Sequence, residues 1–179
     1  SPIIRAVAAK LREYRVEKLV VDPVMIAKSG DPLLQPDARA ALIAEILPLA
    51  LVVTPNLHEA SALAGIPVRD RETMEEAARR IHRLGPRYVL VKGGHLKGEA
   101  VDVLWDGRGF ATVSAPRIDT LHTHGTGCTY SAAIAAGLAK GLSLPEAVRG
   151  AKAYVTKAIR EGFAPGRGVG TLRHFLEEW

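Results

Sequence analysis

The chain has 179 residues, 47% of them hydrophobic and 24% charged, with one cysteine and a formal net charge of +5. That length buries a real core in one domain, and the composition is that of an ordinary soluble globular protein. No apolar run approaches membrane-spanning length, and a single cysteine excludes an internal disulfide and suits a reducing, cytosolic setting.

The first residues, "SPIIRAVAAKLREY", predict a helix with Ser1 as N-cap and Pro2 in the first turn. "KLVVD" at 18–22 is a short apolar run ending on an acid, as a buried parallel strand does. "QPDARAALIAEILP" predicts an amphipathic helix closed by Pro48. "LVVTPN" is a second buried strand, and "NLHEASALAG" a helix capped by Asn56 with Glu59 three residues on. "ETMEEAARRIHRLG" predicts a helix ended by Gly85, and "RYVLVKGG" a third strand.

"AVDVLW" and "GFATVSA" alternate around Asp106-Gly107 and read as an antiparallel hairpin. Helices are expected over about 126–140, over 144–161 behind a Ser143/Glu146 capping box, and briefly near 171–177. Strands alternating with helices, then a hairpin edge, predict an α/β sandwich with a mostly parallel sheet. Only three parallel strands can be found, which makes a thin sheet and suggests a missing part in front.

Basic residues are scattered among acids, as in "DRETMEEAARR", and only 5% of residues are aromatic. Little is left for stacking on bases, so neither nucleic acid nor a membrane is an expected partner. A mildly positive cleft for a phosphorylated small molecule fits the balance.

The chemistry gathers in "HGTGC" at 124–128. Amides of Gly125, Thr126, Gly127 and Cys128 at a helix N-terminus aim at one spot, joined by the positive end of the helix dipole. That is an anion hole suited to phosphate. The same five residues also suit a tight turn with Cys128 as a small buried hydrophobe. They match neither the P-loop nor the dinucleotide fingerprint. At the strand ends stand Asp22, then Asn56 with Glu59 one turn on, then Lys92 before two glycines. Ligands of open α/β sheets bind outside those ends. Two carboxylates with a lysine suit Mg²⁺ and a polyphosphate. Each residue is also explicable singly as a turn or cap. His122 and His124 could form a metal pair, but no further His or Cys lies at ligand spacing. His95 could touch a phosphate or cap its loop.

"DPVMIAKSGDPLL", "TPNLHEA", "VLVKGGH" and "THGTGCTYSAAIAAGLAKG" together resemble the hydroxymethylpyrimidine/phosphomethylpyrimidine kinases of thiamine biosynthesis, of the ribokinase-like superfamily. The motifs occur in family order, and the similarity runs to "GVGTLRHF". The resemblance implies a ribokinase-like three-layer sandwich that uses Mg·ATP to phosphorylate a small pyrimidine and then its monophosphate. It implies that Cys128 stands where related kinases carry an Asp base, and that Gly125, Thr126 and Gly127 form the anion hole. Asp22 and Glu59 would hold Mg²⁺ directly or through water, with Asn56 beside them. Lys92 would neutralise phosphates, and Val24 and Met25 would line the pyrimidine pocket.

Family chains begin earlier, with a strand and a glycine-rich segment that helps grip the pyrimidine. The resemblance therefore covers the C-terminal two-thirds or so of the module, and "GRGVG" has Arg167 where family members often show His. A homodimer, or a longer polypeptide covering the opening flank, is expected. Two further readings stand beside the pyrimidine kinase: a pyridoxal kinase of the related type, and a non-catalytic module that binds nucleotide or pyrimidine.

Overall fold

In the computed structural model, described over residues 2–25, 33–94 and 98–176, five strands form one sheet in the order β1-β2-β3-β4-β5. They are β1 (Val20–Val21), β2 (Val52–Val53), β3 (Tyr88–Val91), β4 (Ala100–Trp105) and β5 (Phe110–Ala115). The first three run parallel, and β4 and β5 form the expected antiparallel hairpin. Helices α1 (Pro2–Glu13), α2 (Pro36–Ala41), α3 (Leu57–Ala64) and α4 (Arg71–His82) precede or interrupt these strands, and α5 (Thr126–Ala139) and α6 (Leu144–Arg160) follow the hairpin.

Consecutive strand residues point to opposite faces, and both faces are covered, so the strands read as unbroken apolar runs. Val53, Val89, Val91 and Val103 pack into the core beneath α1–α4. Val52, Leu90 and Leu104 pack into a second core with Tyr130, Ile134 and Val148 of α5 and α6. β4 is therefore buried across Asp102, Val103 and Leu104 instead of alternating between core and water as its sequence suggests. At the other edge β1 has β2 as its one paired neighbour among the described strands, and α1 exposes Ile3 and Val7 while burying Ala8.

Several boundaries differ from the sequence reading. The helix expected to run to Pro48 leaves α geometry at Ala41, continues as a π-helical turn over Leu42–Ile46 and closes as a 3₁₀ turn over Leu47–Leu49. Pro48 has no N–H to continue the ladder and its ring crowds the preceding turn, which favours such a loosened end. No helix forms over 171–176. There Thr171 exchanges backbone hydrogen bonds with Phe163, at 2.9 and 3.0 Å, and Arg173 N–H donates to the Ala158 carbonyl. Thr171 also bridges to His124, so this segment is committed to strand-like pairing behind the 124–128 turn. The Ser1 cap, His95 and residue 177 lie outside the described residues. Among those residues no helix is long and apolar enough to cross a membrane.

Candidate active site

The parallel register carries the strand ends to one place. Asp22 follows Val21 directly, and Thr54, next to Val53, donates its N–H to the Val21 carbonyl at 2.9 Å. Its hydroxyl donates to Asp22 Oδ1 at 3.3 Å. Beyond β2 and β3 the pairing resumes once, between Asn56 and Lys92, where Lys92 N–H donates to the Pro55 carbonyl at 2.8 Å. The Lys92 ammonium is thereby delivered to Asp22, with Nζ at 2.8 Å from Oδ1 and both side chains only 13% exposed. Partial burial weakens the screening of such a pair while leaving it open on one side to a ligand.

Asn56 caps α3 in a reciprocal box. Its Oδ1 accepts from Glu59 N–H at 2.9 Å, and its own N–H donates to Glu59 Oε2 at 2.8 Å. The capping reading is thus correct, yet it does not account for all of Glu59. Glu59 is 3% exposed, and burial holds its carboxyl above its ordinary value of 4.5. The Asn56 amide, the Lys92 charge and the Met25 amide pull it down, while the Asp22 charge pushes it up. A buried carboxylate beside a second one favours either a proton or a cation.

Across from the strand ends stands the N-terminus of α5. Gly125 is its N-cap, in left-handed conformation at φ 84°, which few residues other than glycine adopt cheaply. Thr126 is held by its hydroxyl, which donates to the Thr123 carbonyl at 2.8 Å. The first-turn amides of Gly127 and Cys128 have no helix carbonyl four residues before them. Gly127 lies against the charged pair: a Cβ there would sit 3.2 Å from Lys92 Nζ and 3.5 Å from Asp22 Oδ2. Cys128 is exposed, one residue further on, and lines a cleft of about 380 Å³ with Thr129, Ala132, Tyr154 and His174. The structure therefore brings Asp22, Asn56, Glu59, Lys92 and the Gly125–Cys128 turn to one edge.

The two substrate candidates part company. Val24 is 43% exposed, whereas Met25 is packed into the core at 5% exposure, its amide turned to Glu59. Among the described residues no cluster of three or more His, Cys, Asp or Glu forms a ready metal cage. Two carboxylates of this kind fit a hard cation that takes its remaining oxygen ligands from water and phosphate.

Sequence reasoning missed three contributors. Thr54 was visible only as a polar residue at the end of a buried strand. Asp102 was hidden in the apparent alternation of the hairpin, and Lys152 in the polar positions of an amphipathic helix. Asp102 and Lys152 are 1% and 7% exposed and make an ion pair at 2.7 Å.

A parallel α/β edge with a lysine, two carboxylates and a helix N-terminus facing one another defines a ribokinase-like kinase fold, as solved structures bear out. The family model described as phosphomethylpyrimidine kinase matches residues 1–173, and the chain belongs to that family. It is 54% identical to the hydroxymethylpyrimidine/phosphomethylpyrimidine kinase of Rhizobium meliloti, over 98% of this chain and 67% of that protein. It is 52% identical to the thiamine biosynthesis bifunctional protein ThiED of Geobacter sulfurreducens, over 97% of this chain and 36% of that one. The pyridoxal kinase of Bacillus subtilis, solved as an ADP complex, superposes with a TM-score of 0.90 at 44% identity, covering 97% of this chain and 66% of that chain. The chain thus spans between about a third and two thirds of these relatives' own lengths.

Proposed function

We propose that the protein phosphorylates 4-amino-5-hydroxymethyl-2-methylpyrimidine and then its monophosphate, using Mg·ATP, in thiamine biosynthesis. The observation that carries this is the Lys92–Asp22 pair held against Gly127 at the start of α5. Phosphoryl transfer asks mostly for positioning and for charge stabilisation of the moving group. Here a fixed ammonium and a set of first-turn amides meet at one point, which suits three equatorial phosphoryl oxygens.

In this reading the substrate hydroxyl oxygen forms a bond to the γ-phosphorus as the bond to the β–γ bridging oxygen breaks. ADP leaves with that electron pair, and the hydroxyl proton passes to the Cys128 sulfur in its thiolate form. Gly125, Thr126 and Gly127 supply amides to the transferring group, and Lys92 follows its charge from ATP to product. Asp22 and Glu59, with Asn56 alongside, would hold Mg²⁺, which would supply positive charge to offset that of the nucleotide phosphates. Val24 offers apolar surface to the pyrimidine, and Met25 backs the site from within the core.

The ligands of this reading are small molecules; neither nucleic acid nor a membrane takes part. A cytosolic setting suits a free, exposed thiol at the site, because oxidising compartments cap such groups. The face of α1 that exposes Ile3 and Val7 is read as the contact surface of a homodimer or of further polypeptide. A pyridoxal kinase is the second reading, favoured by the close superposition on that enzyme. A coupled ADP-release assay offering hydroxymethylpyrimidine, its monophosphate and pyridoxal to the complete polypeptide decides between them. Phosphorylation of pyridoxal alone would sink the first reading, and no ADP release with any of them would sink both.

A further inference from the structure

The Asp102 carboxylate divides its two oxygens between two parts of the molecule. Oδ1 accepts the Gly93 N–H at 3.0 Å, and Oδ2 accepts the Lys152 ammonium at 2.7 Å. Gly93 follows Lys92 directly and lies so close to β4 that a Cβ would collide with the Val101 carbonyl. Lys152 comes from α6, and its ammonium also lies 5.8 Å from the centre of the Tyr130 ring of α5. Tyr130 stands two residues beyond Cys128, and burial together with Asp102 keeps its phenol protonated, well above its ordinary range. One buried cluster thus touches the segment carrying Lys92, the helix carrying Cys128, and the helix behind both.

An ion pair this deeply buried contributes little net stability, because desolvation offsets most of the attraction, and apolar replacements of similar size are often tolerated. An apolar pair, however, could not hold the Gly93 amide. The hydrogen bond to Gly93 fixes where the chain leaves β3, and Lys152 fixes the carboxylate that makes it. We propose that Asp102 and Lys152 are positioning residues for phosphoryl transfer, setting Lys92 against the start of α5 by holding Gly93 from behind.

This rests on the kinase reading above, and two kinds of measurement separate them. Wild-type turnover with hydroxymethylpyrimidine tests the kinase reading alone. For the positioning pair, D102L/K152M is compared with D102N/K152M, which keeps an oxygen for the Gly93 amide. The expected result is a kcat at least about tenfold lower in the first, with KM for both substrates within about twofold of wild type, and substantial recovery in the second. Equal kcat in the two folded double variants would overturn the proposal. Amide hydrogen exchange at Gly93 supplies a second readout that needs neither D102L nor activity. K152M should accelerate it at least about tenfold relative to the flanking β3 amides, and unchanged exchange would overturn the proposal just as firmly.

Discussion

Lys92 and Asp22 stand 70 residues apart in the chain and meet at 2.8 Å, with Gly127 so near that a Cβ on it would meet both side chains. The pair joins the ends of two strands that are not neighbours, since β2 lies between them. Replacing Lys92 by Ala should therefore do two things at once. It removes the cation proposed to meet the phosphates, and it takes from Asp22 its ion-pair partner. We expect KM for ATP to rise and kcat to fall, with a combined loss of about 10² to 10³ in kcat/KM. Steady-state ADP release measures both; a change in KM alone would assign Lys92 to binding only.

Gly127→Ala offers a cleaner probe, because stability and activity should separate. Gly127 is helical, and alanine is a better helix former by up to about 1 kcal/mol. The added methyl group would press on Lys92 Nζ at 3.2 Å, tight enough to displace it. Thermal unfolding should show equal or greater stability, while turnover falls by about tenfold or more. A fully active variant would mean that Lys92 is not required where it now stands.

If Cys128 is the proton acceptor proposed above, Cys128→Ala should lower kcat by about 10² to 10⁴ with little effect on ATP affinity, because such a group acts in the transition state. Unchanged turnover would leave Cys128 as a mere neighbour of the cleft. Cys128→Asp tests why the residue is not a carboxylate. In the proposed reaction a carboxylate would be charged throughout and would repel a phosphorylated second substrate. An ordinary thiol is largely uncharged at neutral pH and need be thiolate only when it takes the proton. The first phosphorylation should survive in this variant and the second should be selectively depressed. Product ratios by phosphorus NMR decide the matter.

Glu59 predicts a pH dependence whose sign follows from its burial. Its carboxyl is held above 4.5 in the folded protein, so the folded state binds that proton more tightly than the unfolded chain. Its stabilising contribution is complete below 4.5 and is lost as pH rises through the raised value. Glu59→Gln keeps an acceptor for the Asn56 amide but cannot ionise. The variant should gain stability relative to wild type as pH is raised from roughly 4 to 7, read as the difference in melting temperature. It should also weaken Mg²⁺ dependence of ATP turnover by about tenfold or more. A pH-independent difference in melting temperature would contradict the burial argument.

The positions of the strands, the hairpin edge, the capping box at Asn56 and the helix starting at Thr126 were all legible from local pattern. Apolar runs ending on Asp22, Asn56 and Lys92 carry their own punctuation, and parallel topology then sends all three ends to one side. The Lys92–Asp22 pair was not legible, since nothing local says which charge meets which across an intervening strand. Asp102 and Lys152 escaped for another reason. In an amphipathic helix and an alternating hairpin a charged residue is assigned to water by default, and only the packing of β4 under both layers puts these two inside. The π-helical and 3₁₀ turns before β2 likewise depend on how Pro48 is accommodated, not on helix periodicity.

The pairing of Thr171 with Phe163 and His124, and the approach of Leu172 Cδ1 to within 3.7 Å of a Cβ built on Gly125, has a consequence for evolution and engineering alike. The turn that would receive a phosphate is buttressed by residues with no part in its chemistry. His122 lies so close to Gly162 and Gly170 that a Cβ on Gly162 would meet the His122 Cβ at 2.9 Å, and one on Gly170 would collide with the imidazole and the Phe163 carbonyl. A reporter inserted at 163–170, or drift at Gly162 or Gly170, should therefore surface as slower turnover with an intact fold. A screen that scores solubility alone would pass such variants unseen.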